Sequence, residues 1–152
     1  RIEQSEAKAL MTDYFARFGG VRDYLRGVVE QAKIDGYTTT IFGRRRPFGD
    51  LHSSNRVLRD NAERQALNSP IQGSAADIIK RAMITVDERI RTSGLASRML
   101  LTVHDELVFE VAPGELDELS ALVESTMRGA ADLSVPLDVQ IGTGPNWDAA
   151  AH

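Results

Sequence analysis

Two acidic residues between two apolar runs form the stretch of this chain that is best suited to chemistry. Residues 99–103 are mostly apolar, His104, Asp105 and Glu106 follow, and residues 107–111 are again mostly apolar. Runs rich in β-branched and large apolar residues predict buried strands, so we expect a hairpin with the acids at its bend. Carboxylates between apolar strands are costly to bury unpaired. A metal ion or a basic side chain is therefore expected to offset their charge.

The residue types at this bend permit metal-assisted phosphoryl chemistry. Hard carboxylate oxygens suit Mg²⁺, which takes one or two protein carboxylates together with water and phosphate oxygens. A metal held near Asp105 and Glu106 could activate an oxygen nucleophile and neutralise a phosphoryl group. His104 suits a metal ligand, a proton-transfer group or a hydrogen-bond partner of phosphate. A solvated turn without any ligand accounts for the same residues, and the pattern alone leaves both interpretations open.

A second set of polar residues recurs every four positions: Arg64, Asn68 and Gln72. Arginine, asparagine and glutamine can together read the acceptors of the DNA minor groove. Pro70 lies between the last two, so we expect the set to straddle a junction between two helices. The same residues could equally cap and bridge that junction.

Charge is distributed unevenly along a chain whose net charge is −4. Six arginines lie between residues 44 and 64, including the run Arg44, Arg45 and Arg46, whereas nine acids and one arginine lie between residues 105 and 138. The arginine run is suited to phosphate or nucleic-acid contact. A basic half and an acidic half suit a protein that binds phosphates and a divalent metal, although two solvated faces explain the charges as well.

The bulk properties fit a soluble globular chain. Its 152 residues are enough for one domain with a core, or for a piece of a larger domain. The absence of cysteine excludes a disulfide framework and thiolate metal sites, and suits a reducing compartment. The sequence begins without an apolar signal segment, and no apolar run approaches the roughly 20 residues of a membrane span.

Hydrophobic periodicity predicts the elements that must position these side chains. The predicted helices cover residues 2–18, 21–34, 55–67, 70–92 and 113–128, and the predicted strands besides the hairpin cover residues 37–42 and 135–141. Gly19 and Gly20 are expected to end the first helix. Ser53 or Ser54 is expected to cap the third.

Three further positions carry structural expectations. The apolar stripes of the first two helices, which include Tyr14 and Phe18, are expected to be core. Gly73 lies early in a helix, at a cost of about 1 kcal/mol relative to alanine, which is tolerable where another chain approaches closely. Trp147, in an irregular tail, is expected to pin that tail to the body of the protein.

Two stretches resemble a known family. Residues 64–80 read RQALNSPIQGSAADIIK and residues 102–111 read TVHDELVFEV. Together they are similar to the C-terminal signature of the family A DNA polymerases, the bacterial DNA polymerase I group. Supporting similarity extends through YFARFGGVRDYL, GYTTTIFGRRRPF and the ending GPNWDAAAH.

The resemblance implies a fold class and a division of the chain. It implies an α+β chain that is part of a right-hand polymerase fold, with helices packed on an antiparallel palm sheet and an acidic β-hairpin. Residues 1–68 would contain later fingers helices, a basic hairpin and the polar helix. Residues 69–152 would contain the palm portion with the catalytic hairpin and the C-terminal tail.

The resemblance also implies a reaction and roles. A primer 3′ hydroxyl would attack the α-phosphate of a deoxynucleoside triphosphate, with Mg²⁺ as cofactor. Asp105 matches the palm aspartate that binds the metal, Glu106 the assisting acid beside it, and His104 a histidine near the primer-terminal backbone. The residues that match contacts to primer–template DNA, or that we expect to contact it, are Arg64, Asn68, Gln72, Arg44, Arg45 and Arg46. The partners implied are that DNA, the triphosphate and the rest of the polymerase chain, in a bacterial cytoplasm near the nucleoid and without a membrane.

The chain departs from the family pattern in two ways. Thr102 stands where the family usually has glutamine, which puts a DNA contact there in doubt. The family's second metal-binding aspartate and its nucleotide-binding fingers helix have no counterpart in the sequence. We therefore expect a C-terminal fragment that is inactive alone. The competing hypotheses are a non-catalytic nucleic-acid-binding module and, less favoured, a metal-dependent nuclease.

Overall fold

The computed structural model describes residues 3–150, so the predicted helical position of Ile2 lies outside the described residues. The chain divides into two compact units, Arg1–Ser74 and Ala75–His152. The functional boundary expected after residue 68 stays a prediction, because compactness does not define fingers or palm. The elements in chain order are α1 (Gln4–Arg17), α2 (Gly19–Asp35), β1 (Tyr37–Thr39), β2 (Arg45–Pro47), α3 (Arg56–Ser93), β3 (Arg98–Val103), β4 (Glu106–Glu110), α4 (Leu116–Arg128) and α5 (Trp147–Ala150).

Helices with small antiparallel sheets confirm the expected α+β class. Within residues 3–150 the strands form two separate two-stranded sheets, β1 with β2 and β3 with β4. In the same range no helix combines the length and the apolar character needed to cross a membrane.

The first two helices form where they were predicted, but their boundary and exposure differ. Gly19 and Gly20 begin α2 instead of ending α1, and Phe18 alone separates the two helices. The expectation that the apolar stripe is core is wrong for α1, in which no described residue is buried. Tyr14 is half exposed and packs on neighbouring rings, 5.0 Å from the ring centre of Phe18. Periodicity identifies an apolar side of a helix, but it does not identify what covers that side.

The core of the first unit lies where α2 and the loop after β2 meet the start of α3. Ala32, Leu51, Ala62 and Ala66 are buried there, with Phe48 packed against them. Lys33 adds ion pairs of 3.0 Å to both Glu63 and Glu30, and these carboxylates raise the pKa of its ammonium group. Helix α2 ends at Asp35, one residue beyond the predicted end, and Gly36 caps it with a φ of 78° and an N–H that donates to the Ala32 carbonyl.

The predicted strand over residues 37–42 is shorter than expected and belongs to a hairpin. Strands β1 and β2 pair Tyr37 with Pro47 and Thr39 with Arg45. The chain reverses between Thr40 and Arg44, and Gly43 supplies the positive φ of 80° that this turn requires. Residues 41 and 42 therefore belong to the turn.

The largest correction concerns α3, which is a single helix of 38 residues with Pro70 inside it. We expected two helices joined at Ser69-Pro70, because Pro70 cannot donate to the Ala66 carbonyl and an internal proline costs about 3 kcal/mol. Ala66, Ser69 and Pro70 are all buried. Packing around the proline therefore offsets the lost hydrogen bond and holds the helix continuous.

The start of α3 also differs from the prediction. Asn55, rather than Ser53 or Ser54, caps the helix, because its side-chain oxygen accepts a hydrogen bond of 2.9 Å from the Val57 N–H. Ser53 supports this cap by accepting from the Asn55 N–H at 3.2 Å.

The second unit packs the end of α3 against α4. Its buried core consists of Val86, Ile90, Leu119, Leu122 and Val123, with Leu95, Phe109 and Met127 packed against them. The predicted strand over residues 135–141 is wrong, because that segment is irregular in the structure. Its alternation of apolar and polar residues is typical of a strand. The backbone of a strand needs hydrogen bonds from a neighbouring strand, and none of the described strands pairs with this segment.

A carboxylate closes the open end of the β3–β4 hairpin. Glu115 accepts hydrogen bonds from the N–H groups of Ala96 and Ser97, both at 2.9 Å, and from the Ser97 hydroxyl at 2.6 Å. The same hydroxyl accepts from the Ala112 N–H at 2.9 Å. We call this group the Glu115 clamp. These donors, led by the Ser97 hydroxyl, hold the pKa of the Glu115 carboxyl below its ordinary value.

Candidate active site

The acidic bend forms as expected at the end of the β3–β4 hairpin. Val103 pairs with Glu106, so His104 and Asp105 alone connect the strands. His104 adopts a φ of 54°, the left-handed conformation that tight turns need and that histidine tolerates better than most side chains. All three polar residues of the bend are exposed. The hairpin thus presents them at its tip instead of burying them.

The two acids of the bend differ in their contacts. The Glu106 carboxylate accepts a hydrogen bond from the indole Nε1–H of Trp147, at 3.3 Å. Asp105 makes no hydrogen bond or ion pair with any residue in the described range. The Asp105 carboxylate is therefore available to a ligand, whereas the Glu106 carboxylate already has a partner.

Thr102, the departure from the family pattern, has a structural role. Its hydroxyl donates a 3.0 Å hydrogen bond to the backbone carbonyl of Glu106 on the facing strand. This bond ties β3 to the first residue of β4 immediately beside the bend. The side chain at position 102 therefore stabilises the hairpin that carries the acids.

The donor set at the bend fits part of a Mg²⁺ shell but not a complete protein site. Among residues 3–150 no group of three or more histidine, aspartate or glutamate side chains is arranged to hold a metal ion. Mg²⁺ commonly takes one or two carboxylates and fills its shell with water and phosphate oxygens. An exposed aspartate with no partner in the described chain fits that partial role.

The polar set on α3 lies on one continuous helix instead of a helix junction. Residues four apart share one face of a helix, so Arg64, Asn68 and Gln72 line up along the same side of α3. All three are exposed. Arg64 donates to the Asn61 side-chain oxygen at 3.0 Å, which aligns its guanidinium with this face. The bridging role that we considered for a junction does not apply.

The arginines of the basic hairpin are exposed, yet each has a partner within the chain. Arg44 donates to the Gly73 carbonyl at 3.1 Å. The guanidinium of Arg45 lies 4.6 Å from the ring centre of Tyr37. Arg46 donates to Gln65 at 3.1 Å and stacks on Phe48. The partners of Arg45 and Arg46 are neutral, so these contacts orient the two guanidinium groups without cancelling their charge.

The turn of the basic hairpin docks on α3 through contacts that the sequence indicated only in part. Ser74 accepts a hydrogen bond from the Ile41 N–H at 3.0 Å. A Cβ placed on Gly73 would lie 2.8 Å from the Thr40 methyl group, so only glycine permits this approach. The close neighbour of Gly73 is therefore the hairpin of the same chain, where we expected another chain. The partner residues Thr40 and Ser74 carried no signal in the sequence.

Comparison with known proteins agrees with this geometry. The family model for DNA polymerase family A matches residues 1–149. DNA polymerase I of Mycobacterium bovis is 62% identical over all 152 residues, and that of Geobacillus stearothermophilus is 47% identical over 146 residues, 96% of the chain. The chain spans 17% of the length of each of these relatives.

A solved structure extends the similarity to the fold. It is the POL domain of Pol1 from M. smegmatis in complex with DNA primer-template and dNTP, with a TM-score of 0.95 and 62% sequence identity. The match covers 99% of this chain and 27% of that one. Membership in such a family implies metal-dependent catalysis in general. The chain belongs to DNA polymerase family A.

Proposed function

We propose that this chain is the C-terminal part of a DNA-directed DNA polymerase, which adds deoxynucleotides to a primer 3′ hydroxyl under the direction of a template. The observation that carries the proposal is the backbone match, over 99% of the chain, to a polymerase domain solved with primer–template and dNTP. The hairpin that presents Asp105 at its exposed tip supports it independently of sequence similarity.

Asp105 is the proposed ligand of a catalytic Mg²⁺, and Glu106 is the proposed assisting acid beside it. When bound, the metal supplies charge neutralisation at the phosphoryl group and a more reactive 3′ oxygen. The contribution of this chain is to hold the Asp105 carboxylate at the tip of a hairpin fixed by the Thr102 hydrogen bond and by the Glu115 clamp. A second carboxylate from outside this chain would complete the site.

DNA is the proposed partner of the basic and amide side chains. Arg64, Asn68 and Gln72 would contact primer–template along the exposed face of α3, where amide and guanidinium groups suit minor-groove acceptors. His104 would contact the primer-terminal backbone. The remaining proposed phosphate contacts are Arg44, Arg45 and Arg46, because exposed guanidinium groups suit the charged DNA backbone.

The identity of the proposed metal is argued from the chemistry of its ligands, and the proposed cellular location from the related proteins. Mg²⁺ is favoured because the donors available are hard carboxylate oxygens. A bacterial cytoplasm is proposed because the matched relatives are bacterial DNA polymerase I proteins.

Primer extension tests the proposal directly. The complete protein that carries this chain should extend a primed template with Mg²⁺, whereas the isolated 152 residues should not, because part of the metal site is missing. Failure of the complete protein would refute the polymerase assignment. Extension by the isolated chain would instead refute its predicted dependence on the missing carboxylate.

A further inference from the structure

The C-terminal tail contacts the proposed assisting acid. Trp147 is 41 residues from Glu106 in sequence, yet its indole N–H donates to the Glu106 carboxylate at 3.3 Å. Trp147 is the single tryptophan of the chain, and about half of its surface remains exposed. Burial in a core therefore does not explain the position of Trp147. Its indole N–H is instead directed at the Glu106 carboxylate.

The tail is built to hold Trp147 in place. The chain folds back on itself so closely that a Cβ on Gly142 would collide with the Ala150 carbonyl oxygen. A Cβ placed on Gly144 would likewise lie 2.9 Å from the backbone carbonyl carbon of Ala149. The side chain of Asn146 accepts from the Ala149 N–H at 2.9 Å. These contacts fix the short helix α5, on which Trp147 is the first residue.

Both the backbone and the side chain of Glu106 are consequently held by hydrogen bonds. Thr102 fixes its backbone carbonyl, and Trp147 binds its carboxylate. A free glutamate samples several rotamers, and a hydrogen bond to its carboxylate selects among them. Within the described chain Asp105 has no such restraint, so the bend contains one carboxylate that is held and one that is available.

We propose that Trp147 is a positioning residue for Glu106: its indole N–H holds the Glu106 carboxylate in one orientation beside Asp105, and thereby makes the C-terminal tail part of the active site. This inference rests on the proposed polymerase function. It assigns the tail a role in the rate of nucleotide addition instead of in DNA or nucleotide binding.

A double-mutant cycle on the complete protein tests the inference. Trp147→Phe keeps an aromatic ring but removes the N–H donor, so we expect the rate of nucleotide addition to fall about tenfold. KM for the nucleotide should not change. In a Glu106→Gln background the same substitution should cause no further loss, because the carboxylate on which Trp147 acts is gone.

A structural role would give a different pattern. If Trp147 only packs the tail, Trp147→Phe should behave like the wild type while Trp147→Ala loses activity. If it stabilises the fold, Trp147→Phe should lower the rate equally in both backgrounds. Either pattern would overturn the inference.

A spectroscopic measurement separates this inference from the proposed function. With 5-fluorotryptophan incorporated into the complete protein, the ¹⁹F resonance of residue 147 is assigned by its loss in Trp147→Phe. Glu106→Gln should shift that resonance, whereas Glu118→Gln, the same chemical change at an exposed glutamate on α4, should not. If the complete protein adds no nucleotide, the proposed polymerase function is refuted. The resonance shift still tests the contact between Trp147 and Glu106 in that case. An unshifted resonance overturns the inference.

Discussion

Two β-hairpins of opposite charge occur within residues 3–150, and they use their charged side chains differently. In the β1–β2 hairpin each of the three arginines contacts a neutral group of the chain, and the turn docks on α3 through Gly73 and Ser74. In the β3–β4 hairpin, His104 and Asp105 at the tip make no hydrogen bond or ion pair with residues 3–150. The basic hairpin is thus anchored at its turn, whereas the acidic hairpin is anchored at its base.

This difference indicates that the turn of the basic hairpin has a structural role and the tip of the acidic hairpin a chemical one. The basic hairpin owes its placement to its own turn residues, so substitutions there should affect stability. The acidic hairpin is held by Thr102 and the Glu115 clamp, which are distinct from the residues at the tip. Its tip can therefore be changed with little cost in stability and a large cost in the proposed chemistry.

The largest expected effect lies at the acidic tip. Asp105→Ala in the complete protein should reduce nucleotide addition by at least about a thousandfold, because it removes a metal ligand whose charge stabilisation amounts to several kcal/mol. Affinity for primer–template should remain close to that of the wild type. Single-turnover extension and a DNA-binding titration measure the two quantities, and near-normal synthesis would contradict the assignment of Asp105.

Gly73→Ala tests the anchor of the basic hairpin. The added methyl group would meet the Thr40 methyl, so we expect a loss of about 1–3 kcal/mol in the free energy of unfolding. Thr40→Ser removes that methyl group and keeps the hydroxyl that accepts from the Phe42 and Arg44 N–H groups. It should therefore rescue Gly73→Ala.

The matched control for this prediction is Gly27→Ala in α2. Gly27 has nothing within 4 Å of a Cβ placed on it. Alanine there should stabilise the protein by up to about 1 kcal/mol, because only the intrinsic helix preference changes. Equal effects at positions 27 and 73 in denaturant unfolding would contradict the close approach of Thr40 to Gly73.

Glu115→Gln tests the anchor of the acidic hairpin through its pH dependence. The folded-state pKa of Glu115 is lowered, so its contribution to stability is fully present above the unfolded pKa, about 4.3. That contribution is lost as the pH falls through the folded value. The variant should therefore melt at a lower temperature than the wild type at neutral pH, and the gap should close in acid.

Glu118→Gln is the control for the clamp, because Glu118 is exposed and makes no contact of this kind in the described residues. Its melting temperature should follow the wild type at every pH. A gap between Glu115→Gln and the wild type that persists unchanged at low pH would show that the clamp does not depend on the charge of Glu115.

The smallest expected effect is at Arg45. Arg45→Gln should weaken DNA binding equally for all sequences and reduce the slope of log affinity against log salt by about one. Its stacking on Tyr37 should contribute little to stability. A salt titration of DNA affinity measures the slope, and an unchanged slope would place Arg45 outside the DNA contact.

Sequence patterns predicted correctly those helices and strands that are determined by neighbouring residues in the sequence. The β3–β4 hairpin follows from two apolar runs around a polar bend, and the inward residues of α4 follow from helical spacing. The prediction failed at Pro70, where burial of the surrounding turn overrides the usual break in a helix. It also failed at residues 135–141. The alternating pattern of that segment does not show whether another strand is available to pair with it.

The candidate site shows the same limit. Residue types alone indicated Asp105 and Glu106, and the resemblance supplied their roles. The hydrogen bond from Trp147 to Glu106 joins residues 41 apart, and the contact of Thr40 with Gly73 joins a turn to a distant helix. Such contacts depend on the tertiary fold, so the sequence indicated an anchor and a close approach without identifying the partner.

Metal binding at the acidic tip is the most direct test of the central claim, that Asp105 is a ligand and Glu106 an oriented auxiliary. Mn²⁺ shares the preference of Mg²⁺ for carboxylate oxygen and is observable by electron paramagnetic resonance. In the complete protein with primer–template, Asp105→Asn should lose bound Mn²⁺ relative to the wild type, and Glu106→Gln should retain it. Equal Mn²⁺ binding by the wild type and Asp105→Asn would contradict the account.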